Sequence, residues 1–251
     1  MKENYGEFAK VYTAGTYPSY SRYMAERLPD MLGQLGYRTR SILDLACGEG
    51  TFVLEARELG FNAVGVDKSK QMVEIARKKA RKKDSDVKFF QGDMRDFVPD
   101  EEFGLVTSWF DSMNYLLTAY DIKRTMNTAY SALQDGGYFV FDMNTIYGLS
   151  QEWQQEECYV ERDDGEVFEV HRTDYSPSGN VAELQITFFT KDGDCWRKSE
   201  EVHEERAYEL ERIKELAREV GFQVSGVWDD VREFTPPDEE SGRVWIALKK
   251  S

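Results

Sequence analysis

The stretch Ile42-Leu43-Asp44-Leu45-Ala46-Cys47-Gly48-Glu49-Gly50-Thr51-Phe52 decides the fold. A short apolar run reads as a buried strand, two glycines interrupt it, and the pattern that follows opens a helix. Glycine at 48 and 50 lets the backbone turn sharply and lets a ligand approach without meeting a Cβ, so both are read as ligand-facing. A lone Gly-x-Gly would fit an ordinary strand-to-helix turn equally well, and the surrounding sequence has to choose.

Two downstream carboxylates make the choice. Asp67 follows the β-rich run Ala63–Val66, and Asp93, in Gln91-Gly92-Asp93-Met94, follows Val87–Gln91. With Asp44 they bring three acids to the C-terminal edge of one sheet, where open α/β sheets bind ligands. Asp67 is placed to accept ribose hydroxyls, and Asp93 to accept the exocyclic amine of adenine. The dinucleotide pattern Gly-x-Gly-x-x-Gly/Ala fails, because it needs a small residue where Val53 or Thr51 stands. Negative charge from Asp44 and Glu49 beside the loop suits an adenosine ligand carrying an ammonium and a sulfonium better than one carrying a pyrophosphate.

Outward from this centre, strands are predicted at Ser41–Leu45, Ala63–Val66, Val87–Gln91, Leu105–Trp109 and Tyr138–Met143. Lys70–Lys83 forms a helix, and Gly136-Gly137 breaks the helix before the fifth strand. From residue 152 the texture becomes strand-like runs separated by Asp163-Asp164-Gly165, Ser176-Pro177-Ser178-Gly179-Asn180 and Lys191-Asp192-Gly193-Asp194, an antiparallel meander. In it Leu184, Ile186 and Phe188 share one face, and the polar face opposite, with Glu183, Gln185 and Thr187, is expected to meet the acceptor. A helix with Leu210, Ile213, Leu216, Ala217 and Val220 on one stripe, capped by Gly221, precedes closing strands Phe222–Trp228 and Val244–Leu248. The expected architecture is α/β: a Rossmann-like, mostly parallel sheet flanked by helices (1–151 and 207–251, with 1–40 a helical cap) and an inserted antiparallel β-meander lid over 152–206, for which a dimerisation arm is the alternative reading.

Composition narrows the function. The 251 residues carry a net charge of −15, nearly all of the excess falling after residue 150, and such a field disfavours nucleic acid. The basic run from Arg77 to Lys83 is read as a solvated helix face. No apolar stretch is long enough to span a membrane and the N-terminus lacks an apolar leader, so a cytoplasmic protein without membrane association is expected. Three scattered cysteines (Cys47, Cys158, Cys195) argue against disulfides, and two histidines without a Cys-x-x-Cys leave little for a metal site.

Asp44-Leu45-Ala46-Cys47-Gly48-Glu49-Gly50, Val64-Gly65-Val66-Asp67, Gln91-Gly92-Asp93-Met94 and Leu133-Gln134-Asp135-Gly136-Gly137-Tyr138 resemble the successive motifs of class I S-adenosylmethionine-dependent methyltransferases. The resemblance covers residues 41–145 well. It implies S-adenosylmethionine as cofactor and S-adenosylhomocysteine as product, with Asp44 and the backbone of Ala46, Cys47, Gly48 and Gly50 facing the methionine moiety and Asp67 the ribose. Gly92, Asp93 and Met94 would face the adenine, with Lys68, Ser69 and Met72 on its other side, and Trp109 and Phe110 would border the cofactor after the fourth strand. Ala46 stands where the family usually has glycine. The leader Tyr5-Gly6-Glu7-Phe8-Ala9-Lys10-Val11-Tyr12, with Tyr17, Tyr20 and Arg22, resembles that of small-molecule N-methyltransferases, in which an N-terminal tyrosine closes over the cofactor; the same aromatics could simply pack a helix onto the sheet.

Methyl transfer is an in-line displacement that mainly needs alignment, worth roughly 7–11 kcal/mol. Acceptor-side candidates are Asp111, which serves equally as an N-cap, Asp142 and Asn144 after the fifth strand, and His203 with Arg206 near the end of the meander. Phe110-Asp111-Ser112-Met113 stands where adenine-N6 and glutamine methyltransferases carry Asn/Asp-Pro-Pro-Tyr, which disfavours those acceptors. A small-molecule acceptor, an amine, and a monomer or homodimer are expected. An aminopropyl transferase and a non-catalytic binding protein on the same fold are the alternatives.

Overall fold

The computed structural model describes residues 5–251. Its main sheet has seven strands. Five form the parallel part: β1 (Ser41–Leu45), β2 (Asn62–Asp67), β3 (Lys88–Gln91), β4 (Phe103–Ser108) and β5 (Leu133–Asn144). Helices α1 (Phe8–Ala14) and α2 (Pro18–Gln34) precede β1. Between the strands run α3 (Thr51–Glu58), α4 (Lys70–Lys82) and α5 (Ala119–Ala132). After the fifth strand come four further strands, β6 (Cys158–Asp163), β7 (Val167–Ser176), β8 (Val181–Asp192) and β9 (Cys195–Arg206). The chain then returns through α6 (Leu210–Val220) to β10 (Phe222–Trp228) and β11 (Arg243–Lys250). The main sheet runs β10-β11-β5-β4-β1-β2-β3, with β11 antiparallel between β10 and β5. The strand order reverses between β1 and β4, which opens a crevice at their C-terminal ends.

Alternation along the strands divides the core. Ile42, Leu105 and Val140 pack toward α2 and α3, whereas Leu43, Val106, Phe139 and Phe141 pack toward α5 and α6. All six residues of β4 are buried, as expected of a central strand covered on both faces. Ser69 caps α4 by accepting the Met72 N–H, and Gly221, at φ +112°, caps α6 as its position predicted. The helix before β5 ends earlier than expected: Leu133 already pairs with Phe103, and Gly136-Gly137 lies inside β5, where the register slips before Tyr138 meets Leu105.

The second sheet, β6-β7-β8-β9, is fully antiparallel and its strands meet at the predicted turns. Its orientation corrects an expectation. The face turned toward the main domain is not the polar one that carries Glu183 but the apolar one, whose Ile186 and Phe188 pack under α1 with Phe8, Ala9, Val11, Tyr12 and Met72. Register places Glu201 opposite Ile186 and His203 opposite Leu184, so polar groups reach the interior from β9 and β7 on the same face as those apolar side chains. Glu183 on the other face is exposed. A strand's neighbours share its in–out phase, so the inner polar residues are supplied by adjacent strands. The basic run of α4 is only partly free: Arg77 donates to the Phe89 carbonyl, Lys79 pairs with Glu49, and Lys83 pairs with Glu55 and Glu58.

Candidate active site

The loop after β1 supplies the first wall. Gly48, at φ +54°, faces open space, for a Cβ there would meet nothing within 4 Å. Gly50 is different. A Cβ there would lie 2.7 Å from Phe89 and 2.8 Å from Ala76, so this glycine, expected to admit a ligand, instead admits α4 and β3 against the loop. Ala46 sits at φ +60°, a left-handed conformation that explains why glycine is usual there and that costs an alanine about 1–2 kcal/mol. The Cys47 side chain turns into the core, and burial pushes its thiol up.

The expected negative charge is redistributed. Glu49 is buried and paired with Lys79 and the Thr51 hydroxyl, so its charge is spent locally. Asp44 accepts the Thr107 hydroxyl at 2.7 Å, and burial raises its carboxyl well above the usual range. Asp67 accepts the Gly48 N–H and the Ser69 N–H, both at 2.8 Å. It therefore braces the loop, and its partners are not ribose hydroxyls alone, as the sequence suggested. Burial pushes its carboxyl up to about 6.

The adenine side departs further. Both Asp93 oxygens are held by Arg95, which donates from Nε and Nη2, and Lys68 lies 3.4 Å away. Arg95 holds this carboxyl far below the usual range. An adenine amine would have to share a carboxylate already engaged. Gly92 is crowded, a Cβ there meeting Phe97 at 3.0 Å and Val66 at 3.2 Å, and Met94 packs with the α5 side of the core. Ser69, besides capping α4, donates to the Tyr5 carbonyl, and Met72 lies beneath Phe8 and Tyr12, so these two underpin the N-terminal segment.

That segment lies between the two sheets. The Glu201 carboxylate on β9 accepts the backbone N–H groups of Tyr5, Gly6 and Phe8 at 2.9, 3.0 and 3.1 Å. The Tyr5 hydroxyl meets that of Tyr115, which meets His203 Nδ1, both at 2.9 Å. Tyr12 stacks on Tyr17 and is within the fields of both Asp67 and Asp111. Tyr17, expected beside the cofactor, instead donates to Glu169 on β7 and meets His171. Arg22, on α2, lies 4.0 Å from Glu55 of α3, with about half its side chain exposed. Tyr20 stacks on Phe110, with ring centres 4.8 Å apart.

Beyond β4 the backbone takes two consecutive left-handed residues, Phe110 (φ +57°) and Asp111 (φ +53°). Such conformations cost on the order of 1–3 kcal/mol each and persist only where surroundings over-determine them. Here Asp142 of β5 does so, accepting the Phe110 N–H at 2.7 Å and the Asp111 N–H at 3.0 Å. Asp111 makes no side-chain cap; its carboxylate accepts from Asn144 Nδ2 (2.8 Å) and from Arg243 Nη2 (3.1 Å), while Arg243 Nη1 pairs with Asp142. The second Asn144 amide hydrogen goes to Glu205 of β9 at 2.9 Å. Asn114 locks the ensemble, donating to the Asn144 and Arg206 carbonyls and accepting the Asn144 N–H. His203 is not a surface histidine but is 1% exposed, beside Glu201. Arg206 donates to the Leu117 carbonyl and lies over Tyr208, tethering the end of the second sheet. Trp109 packs edge-on against Phe52 within the core.

Sequence reasoning missed Arg243, Glu205, Tyr115 and Glu201, whereas Asn114 closes the stretch Trp109–Asn114 in which acceptor-side groups are expected from the sequence. Glu201, His203 and Glu205 recur with a period of two, and that spacing would have placed both glutamates beside the histidine. Arg243 gave no such signal, because its partnership with Asp111 depends on β11 lying next to β5.

The arrangement can therefore hold an adenosine across the β1/β4 crevice, with open space at Gly48 and an acid at Asp67, beside a polar cluster at the ends of β4 and β5. Residues 42–137 match the methyltransferase domain family. Over 244 residues the chain is 28% identical to a protein of Geobacillus sp. (strain WCH70) whose name provisionally calls it a methyltransferase, covering 97% of this chain and 96% of that one. It is 24% identical to the glycine/sarcosine N-methyltransferase of Aphanothece halophytica, over 84% of this chain and 76% of that one. The crystal structure of an S-adenosylmethionine-dependent methyltransferase from Clostridium acetobutylicum ATCC 824 superposes with a TM-score of 0.85 at 25% identity, over 99% of this chain and all of that one. Residues 42–137 are a methyltransferase domain, and the chain is an S-adenosylmethionine-dependent methyltransferase.

Proposed function

We propose that the enzyme methylates an amine on a small polar molecule and that the second sheet, residues 152–206, acts as a lid over the acceptor side. The observation that carries this reading is the seam between the sheets: Asn144 bonds Glu205, Asn114 bonds the Arg206 carbonyl, and Tyr5 bonds Tyr115. These contacts roof the ends of β4 and β5, where the polar groups they gather suit a compact acceptor. Similarity to the glycine/sarcosine enzyme, and to a dTDP-amino-sugar N,N-dimethyltransferase of Streptomyces venezuelae at 33% identity over 47% of this chain, supports nitrogen as the receiving atom.

Within this reading, S-adenosylmethionine supplies the methyl group. Asp67 orients the ribose, Gly48 gives the methionine moiety room, and Tyr12 covers the cofactor between Asp67 and Asp111. The left-handed turn at Phe110-Asp111, held by Asp142, fixes where the acceptor sits. Preorganised polar groups in a site screened from water act without rearranging during the reaction. The test is S-adenosylhomocysteine release with glycine, sarcosine, ethanolamine and glucosamine, set against matched alcohols and thiols. Turnover confined to alcohols or thiols would replace nitrogen by oxygen or sulfur.

Cofactor affinity should depend on acidity. Only an ionised Asp67 accepts two hydroxyls, and its carboxyl is pushed up to about 6. A raised folded-state pKa means that the proton is retained as pH falls below that value, so S-adenosylmethionine binding should weaken by up to about tenfold per pH unit below 6. Calorimetry from pH 5 to 8 measures this, and Asp67→Asn should flatten the dependence. A wild-type curve as flat as the variant's would take the ribose role from Asp67.

A further inference from the structure

We propose that Asp111 and Glu205, bridged by the Asn144 amide, form an ammonium-binding well at the acceptor side, and that Glu205 takes the proton the acceptor must lose before it attacks. The inference rests on the amine reading above and adds the residues that would recognise and activate the amine.

The geometry is specific. Asn144 donates one hydrogen to Asp111 Oδ2 and the other to Glu205 Oε2, at 2.8 and 2.9 Å, which fixes the two carboxylates side by side. Both residues are more than nine-tenths buried, at 7% and 3% exposure, and the second oxygen of each makes no hydrogen bond among the described residues. Neither oxygen is sealed from solvent, so each stays open to a donor that enters beside the common bridge. Tyr12, 9% exposed, brings a third group: its hydroxyl makes no hydrogen bond among the described residues and lies in the field of Asp111.

Charge points the same way. The cluster holds three carboxylates, Asp111, Asp142 and Glu205, and one cation, Arg243, which binds the first two. Glu205 has no cation in contact among the described residues. Buried negative charge in excess is costly unless a proton or a cation neutralises it. Burial and the charge of Asp111 raise the Glu205 carboxyl well above its usual range, which suits a group that accepts a proton from an ammonium. The other titratable groups around it are Asp142, Arg243, Tyr5 and Tyr115, with His203 behind Tyr115.

Position completes the argument. Asp67 and Asp93 lie on the β2–β3 side of the crevice, whereas Asp111 and Asn144 lie at the ends of β4 and β5 and Glu205 on the strand above them. An adenosine held by the first pair therefore directs its sulfonium toward the second. The step balances. The bound ammonium gives one proton to Glu205, the freed lone pair forms a bond to the methyl carbon, the carbon–sulfur bond breaks with its electrons going to sulfur, and the product leaves as a methylated ammonium.

A cofactor analogue tests the well without knowledge of the acceptor. Sinefungin carries a primary ammonium where S-adenosylmethionine carries the reactive methyl, and S-adenosylhomocysteine carries nothing there. Calorimetry on the full chain at pH 7.5 should show sinefungin binding at least about tenfold more tightly than S-adenosylhomocysteine. Glu205→Gln and Asp111→Asn should each remove most of that preference while leaving S-adenosylhomocysteine affinity unchanged. The amide oxygen that either substitution introduces still accepts from Asn144, so both variants should fold, and melting curves check it. Equal wild-type affinities for the two analogues, or a Glu205→Gln loss shared equally by both, would overturn the well. Should the preference be present while only alcohols or thiols are methylated, the well stands and the amine reading and the proton role fall. With an amine that is turned over, Glu205→Gln should lower kcat by about 100-fold and abolish the acid limb of the kcat/KM profile. An unchanged profile would remove the proton role alone.

Discussion

Arg243→Leu is expected to destabilise the protein by about 3–5 kcal/mol near neutral pH, because it strips the cation from two buried carboxylates and leaves their charge uncompensated. Asp142 is fully buried and its carboxyl is already raised by that burial, with Arg243 opposing the shift. Without the guanidinium the carboxyl rises further. A group whose folded-state pKa is raised contributes stability that is complete below its unfolded value, about 3.9 for aspartate, and lost as pH climbs through the folded value. The variant's deficit should therefore be smallest near pH 4–5 and largest above pH 7. Urea unfolding at pH 5 and pH 8 measures it, and pairing the change with Asp142→Asn should recover part of the loss at pH 8. A deficit below 1 kcal/mol that does not vary with pH would show that the cluster does not depend on Arg243. The left-handed turn at Phe110-Asp111 should loosen with it, since Asp142 would lose the partner that holds its carboxylate in place.

The second large effect separates two glycines that look alike in sequence. Gly50→Val places a branched Cβ 2.7 Å from Phe89 and 2.8 Å from Ala76 at φ +83°, so overpacking and backbone strain combine to about 3–5 kcal/mol. Gly48→Val puts its Cβ where no protein atom lies within 4 Å, so its main cost to folding is the strain of φ +54°, about 1–3 kcal/mol. Its methyls would instead stand in the space beside the loop, and S-adenosylhomocysteine affinity should fall by about 100-fold. Melting temperature and calorimetry together resolve the pair: the first variant should lose stability, the second should lose ligand. If Gly48→Val bound the cofactor normally, the open space beside residue 48 would not be the methionine-side wall.

These two glycines also show where sequence stops. The Ile42–Phe52 stretch identified the strand, the loop and the helix, because strand hydrophobicity and glycine spacing are local properties. It could not say which glycine faces a ligand, since that depends on Phe89 arriving from β3. Asp44, Asp67 and Asp93 were correctly placed at one sheet edge, for strand ends are readable from periodicity. Their partners were not, because Arg95, Thr107 and the Gly48 N–H are a matter of side-chain direction. The acceptor side was the least legible. Asp111, Asn144, Glu205 and Arg243 come from the ends of β4, β5, β9 and β11, and only the crossing of the second sheet over the first brings them together. That one face of β8 is apolar was legible in its alternation, but that this face packs under α1 was not, as it depends on where Phe8 and Tyr12 arrive.

The place of β11 between β5 and β10 has a consequence for synthesis. Strand β5 finishes at Asn144, but the strand that pairs with its far edge does not begin until Arg243, about 100 residues later. At roughly 5–20 residues per second the ribosome takes about 5–20 s to deliver it. During that time Tyr138-Phe139-Val140-Phe141-Asp142-Met143 presents an unpaired, strongly apolar edge, the kind of segment through which nascent chains associate with one another. The acidic side chain at 142 interrupts that run as a gatekeeper before it has any role in the folded protein. Slowed translation between codons 145 and 242 would lengthen the vulnerable interval, and the yield of soluble protein would register it.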